Sequence, residues 1–382
     1  MSNIFAGIEA LDKQIAEDRI DLSELLFNII DDETAINEMN AEITSIEVAE
    51  ERFDIAFEQL KALHKSISEF GISKSVILAV DPDGYLEKNG LIPSYESLND
   101  LPTKDENAEI ALESLSDIFK KYWNKVIKIT KETWKKMKGM LSRIENMLNA
   151  YQIVIAKNKE AIKNKKFNDD KVKEKKIKVI TFDEFYSAKD YFEVLVKRMF
   201  GSLETNVDSL LSDIQKYPSE SIKDAAIDSY KTLIEHNNDH IKFIGMKIEL
   251  NNGKVTWKHV GGSIFDKIKE GTLIDRGYKN INAIDRILQD TTNLIKDNKK
   301  INDHIKEIDK IQDEFEKAVN VLISKVRDDK NKKYANDLDK SLKIMKTSLD
   351  FIKISYIKMS NIAIKLVKTA IIVGSAAKVV SE

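Results

Sequence analysis

Two histidines four residues apart, His236 and His240 in "IEHNNDHIKF", have the spacing best suited to a metal, because positions i and i+4 share a helix face. The residue after His236 is Asn237 rather than a glutamate, and no third ligand is evident. A solvated polar helix face is the plainer reading, and no metal site is assigned. Gly261-Gly262 in "VGGSIFDKIKEG" precedes a helical pattern. A phosphate-cradling loop needs a longer glycine frame closed by Lys-Ser or Lys-Thr, so a turn is the simpler role. Asp31-Asp32 and Asp169-Asp170 are adjacent pairs, whose side chains diverge on a helix and serve poorly as acid and base. There is no Gly-x-Ser-x-Gly and no cysteine, which excludes a thiolate nucleophile, a thiolate metal site and a disulfide scaffold. Nothing here argues for catalysis or for a cofactor.

A stronger pattern occupies "SLSDIFKKYWNKVIKITKETWKKMKGML" at 114–141. Lys120, Lys121, Lys125, Lys128, Lys131, Lys135, Lys136 and Lys138 alternate there with aromatic and aliphatic residues. Lysines on one helix face suit the phosphates of a polyanion, with Trp123 or Trp134 stacking on bases or packing inward. A basic, aromatic helix lying in a membrane interface is a second reading. A third is an ordinary amphipathic helix with its tryptophans in a core, which is compatible with lysines that face DNA.

This stretch follows a sharp change of charge. Residues 1–113 hold 26 acidic and 8 basic side chains, net −18; residues 114–382 hold 38 and 53, net +15; the whole is −3. A body at +15 attracts nucleic acid, and an attached acidic arm opposes that attraction. At the boundary stands Ala111-Leu112-Glu113, then Ser114. Ser or Ala two positions before a glutamate recurs at Glu47, Glu51, Glu58, Glu96 and Glu204, so the motif alone is weak. Its place at the charge switch, after a linker a protease could reach, is the informative part.

With that junction on the page, the chain resembles the internal head (inner-body) virion proteins of giant phiKZ-like tailed bacteriophages. The resemblance rests on Ala111-Leu112-Glu113, on the Ser-rich start and Lys/Trp helix at about 111–140, on the charge layout, and on the apolar tail "IAIKLVKTAIIVGSAAKVV". It implies a propeptide removed after Glu113 by a prohead protease. It also implies a mature part retained in the capsid interior with packaged DNA and other internal head proteins, after synthesis in the host cytoplasm. A homo-oligomer is compatible with this role, and a membrane is not part of it. The alternatives are a membrane-inserting subunit like those of α-helical pore-forming toxins, or an unprocessed helical scaffold.

The elements that must position these residues are mostly helices. With 4 prolines, 13 glycines and 33% charged residues in 382, the composition suits long helices around a real core. The expected fold is mainly α, a helical bundle with a small α+β module containing a β-hairpin. Apolar periodicity predicts a helix over 34–70 within an acidic propeptide, 1–80. Residues 81–113 read as a Pro/Gly-containing linker, and 114–165 as basic amphipathic helices with a possible break at Gly139. The α+β module spans 166–279, with "IKVITF" as a strand and "KIELNNGKVTWKHV" as the hairpin around Asn251-Asn252-Gly253. A C-terminal bundle with an amphipathic tail covers 280–382. The start, "MSNIFAGIEALDKQ", has neither a basic region nor a long apolar core, so no secretory signal is expected. The uncharged run Thr369 to Ala377 is far short of the ~20 residues that span a bilayer.

Overall fold

The computed structural model describes residues 54–67, 69–88, 115–219, 221–251, 254–261, 264–326 and 332–381, with the single positions 41, 44, 52, 92 and 94. Positions 41, 44 and 52 and residues 54–67 and 69–70 are helical, within the helix predicted over 34–70. The junction Ala111–Leu112–Glu113–Ser114 lies outside the described residues.

Two short helices follow the first helical segment, α1 (Lys74–Val80) and α2 (Tyr85–Lys88). The side chain of the buried Asp81 holds α2 by accepting from the amides of Tyr85 and Leu86, both at 2.8 Å. The Pro/Gly-containing stretch therefore begins with an ordered, capped turn. The chain then forms α3 (Leu115–Ile162), α4 (Asp169–Glu174), β1 (Lys176–Lys178) and α5 (Phe182–Val194). A π-helical turn at Leu195–Met199 joins α5 to α6 (Phe200–Lys216), which is followed by α7 (Ser221–Phe243). Next come β2 (Met246–Asn251), β3 (Lys254–His259) and β4 (Glu270–Thr272). The chain ends with α8 (Ile281–Lys299), α9 (Ile301–Val326) and α10 (Lys332–Val380). The fold is mainly α, with long helices and two small strand pairs.

Local chemistry sets several of these boundaries. Thr181 and Glu184 form a reciprocal capping box at the start of α5, so only Ile177 and Lys178 of "IKVITF" lie in the three-residue strand β1 before the helix takes over. Asn280 caps α8 by accepting from the Ala283 amide at 2.8 Å. The predicted hairpin forms, with Ile248 opposite Trp257 and Leu250 opposite Val255. β1 pairs instead with β4, far along the chain, in an antiparallel register centred on Ile177 and Gly271.

Gly139 does not break the Lys/Trp helix, which runs unbroken from Leu115 to Ile162. The glycine faces solvent, where its cost is about 1 kcal/mol relative to alanine. Met137, Met140, Leu141 and Ile144 are buried around it. Each contributes roughly 2 kcal/mol, so packing wins.

The tail also departs from its expected amphipathic form. From Phe351 to Val373, α10 buries residues on every side, including Phe351, Ile352, Tyr356, Ile357, Ala363, Leu366 and Val373. A helix apolar all round belongs in the middle of a bundle. There α10 packs against α3, α8, α9, α7, α6 and β3. Its lysines are accommodated individually. Lys353 donates to Gln312 Oε1 at 2.6 Å and lies 5.6 Å from the centre of the Trp134 ring. Lys346 pairs with Asp350 at 2.9 Å. Near the end, Gly374 lets α3 and α8 approach closely: a Cβ there would meet Asn158 Cβ and Leu288 Cδ2 at 3.2 Å. Among the described residues no helix is long and apolar enough to cross a membrane.

Candidate functional site

At about 100° per residue, the eight lysines from Lys120 to Lys138 fall within roughly 160° of the α3 circumference. The buried face, with Tyr122, Trp123, Val126, Thr130, Trp134, Met137, Leu141 and Ile144, lies opposite. The helix thus turns its lysines outward because its apolar residues are committed to α8, α9 and α10.

The eight are not equivalent. Lys131 donates to Glu316 Oε2 of α9 at 2.5 Å. Lys138, half-buried, contacts both carboxylate oxygens of Asp309 at 2.9 and 3.1 Å. These two fasten α3 to α9. Lys120, Lys121, Lys125, Lys128, Lys135 and Lys136 are exposed. Lys128 has one exposed helical neighbour of opposite sign, Glu132 at 3.9 Å, a pair worth little in water. An elongated polyanion can therefore meet a run of lysine heads along this face. The tryptophans are not available for base stacking. Trp123 and Trp134 are buried, and each indole N–H is spent on a carboxylate: Asp339 Oδ1 at 3.1 Å and Asp309 Oδ1 at 2.7 Å.

The described part of the acidic arm does not cover this lysine face. It seats on the other side of the α3 N-terminal turns. Phe57 stacks on Tyr122 with ring centres 3.7 Å apart and planes 15° from parallel. The Tyr122 hydroxyl donates to Asp54 Oδ1 at 2.6 Å. Lys343 of α10 donates to Glu58 and lies 3.3 Å from Asp339, which Lys61 approaches at 3.7 Å. Burial opposes ionisation of Glu58, but the hydrogen bonds and charges of Lys343 and Lys61 outweigh it and hold the carboxyl below its ordinary range. Burial pushes the Asp339 carboxyl up, against the pull of the same two lysines. Burial, and then the neighbouring Asp54 carboxylate, push the Tyr122 phenol up.

Other sequence candidates fall elsewhere. His240 packs edge-on against Tyr191, with ring centres 4.8 Å apart. His236 lines a surface groove with Arg198, Ser202, Asn206, Ser229 and Thr232. Among the described residues no three His, Cys, Asp or Glu side chains gather as a metal site would require. Asp169 and Asp170 sit in the first turn of α4, where carboxylates favour the helix N-terminus. Gly261 has a positive φ of 63°, as expected of a turn residue. Of the six small-x-Glu matches, Glu58 lies in a helix of the docked arm and Glu204 is buried in α6. Glu47, Glu51, Glu96 and Glu113 are outside the described residues.

Glu204 belongs to a cluster that the sequence pattern does not reveal. One of its oxygens accepts from the Tyr356 hydroxyl, and the other lies 2.8 Å from His304 Nδ1. The His304 ring lies over Tyr356 at 5.6 Å. These residues join α6, α9 and α10, and their separations of 100 and 152 positions put them beyond any local motif. Compared with protein-family models, with curated proteins and with solved structures, the chain matches none.

Proposed function

We propose that this protein is a non-enzymatic structural component of a bacteriophage virion, packaged inside the capsid with the genome. In this reading a prohead protease cuts after Glu113. The retained basic body then associates with DNA through non-specific electrostatics and with other capsid-interior proteins. The observation that carries the proposal is the one-sided lysine face of α3, backed by a body whose net charge is +15 against −18 for residues 1–113. Cleavage would move the retained net charge from −3 to +15, the direction that favours a polyanion. The described arm residues leave the lysine face uncovered, so these residues oppose DNA binding through their field and not by covering the contact. Salt weakens such a field with a screening length of about 10 Å at 0.1 M.

The test is DNA binding by the full chain across a salt series, with and without the substitutions Lys121→Glu, Lys128→Glu and Lys135→Glu. These three positions run along the middle of the lysine face. If six lysines reach phosphates, the slope of log K against log salt approaches about −5, and the triple variant loses roughly half of that slope. Wild type and variant with the same slope would refute α3 as the contact. Scission followed by removal of residues 1–113 should tighten binding most at low salt, and unchanged affinity of residues 114–382 freed of the arm would refute its opposing role.

A further inference from the structure

We infer that residues 54–67 are a docked helix whose seat on α3 and α10 outlasts scission of the chain at 113/114, so that processing first yields a two-chain complex. The inference deepens the proposed maturation and rests on it for biological meaning, but the seat itself is a property of the fold. Asp54, Phe57, Glu58 and Lys61 follow at three, four and seven positions, which places them on one helix face. All four engage the body. Asp54 accepts from Tyr122, Phe57 stacks on the same ring, Glu58 accepts from Lys343, and Lys61 approaches Asp339. The Lys343 ammonium also lies 4.9 Å from the Phe57 ring centre and 5.7 Å from that of Tyr122. The helix inserts an apolar row as well, with Ala56, Phe57, Leu60, Leu63 and Ile67 buried in the same continuous core as Trp123 and Phe315.

On the body side of the seat, Trp123 and Lys343 hold Asp339 at 3.1 and 3.3 Å, and Lys61 of the arm adds a contact at 3.7 Å. The occupant of the seat is an amphipathic helix of the pattern Asp-x-x-Phe-Glu-x-x-Lys, supplied by the chain itself. None of these contacts passes through residues 89–114, so cutting there removes none of them. Loss of the covalent link turns a tethered helix into a bound one, and its release becomes a dissociation step with its own rate.

The experiment uses the full chain with a specific protease recognition sequence inserted between Asn107 and Ala111. After cutting, native mass spectrometry and size-exclusion chromatography are run at micromolar concentration in physiological salt. The expected result is one species holding one N-terminal and one C-terminal piece. Two separate species would overturn the inference. A complex of two pieces of each kind would overturn the cis seat and point to exchange of the helix between copies. The partly exposed Glu58→Ala substitution tests the contacts without emptying the core. It should raise the dissociation rate of the cut arm about tenfold, and an unchanged rate would contradict the pairing with Lys343. Retention of the arm can fail while processing and DNA binding stand, because neither of those needs the seat.

Discussion

Glu204 shows how a single side chain can tie three helices. It is buried in α6, accepts from Tyr356 of α10, and holds the Nδ1 side of His304 on α9. The hydrogen bond to Glu204 raises the His304 pKa above its ordinary 6.5; burial opposes this, and the charges of Glu204, Asp303 and Glu307 reinforce it. A raised folded-state pKa means that the protonated ring stabilises the fold. That contribution is fully present below 6.5 and is lost as pH rises through the folded value. The melting temperature should therefore fall as pH rises above 6.5, and His304→Gln should flatten that part of the profile. Parallel profiles for the two proteins would contradict the assignment. The same residue matches the small-x-Glu motif through Ser202 and Leu203, yet it sits inside a helix with both carboxylate oxygens engaged. A motif of two fixed residue types does not report accessibility, which is what a protease requires.

At the scale of elements, the two longest helices are held by opposite means. α3 is two-faced, and its exposed lysines leave room for change. Gly139 has open space around its Cβ position, so Gly139→Ala should stabilise by about 1 kcal/mol in a denaturant titration. α10 is enclosed. Gly374→Leu places a branched side chain where even a Cβ meets Asn158 and Leu288 at 3.2 Å, and should destabilise by about 1–3 kcal/mol. If both substitutions proved neutral, the assignment of exposed and enclosed faces would be wrong. The faces of α3 were legible in the sequence because its period puts the lysines opposite the tryptophans. The β2–β3 hairpin was legible from Asn252-Gly253 between runs of strand-type residues. The enclosure of α10 was not legible. The tail reads as amphipathic in sequence, and only the tertiary fold supplies partners such as Gln312 and Trp134 for Lys353. For the same reason the sequence could not separate Lys131 and Lys138 from the other six, because Glu316 and Asp309 lie 185 and 171 positions away.

Across the whole molecule, opposite charge and shared core act on the same two parts of the chain. The arm and body differ by sign, −18 against +15, and residues 54–67 of the arm meet the body through a mixed seat of aromatic stacking and paired charges rather than through the lysine face. Charge segregation was visible from composition. The seat was not, because Trp123 and Asp339 are 216 positions apart and Glu58 and Lys343 are 285 apart. In the proposed reading one chain stays near neutral while it assembles and becomes strongly basic once the arm is cut and lost. Whether the chain undergoes that change is the central claim, and it is read directly from the N-terminal sequence and intact mass of the protein recovered from the purified particle. The account predicts a major species that begins at Ser114. A chain that begins at Met1 or Ser2 and carries the full mass would contradict it and favour the unprocessed scaffold.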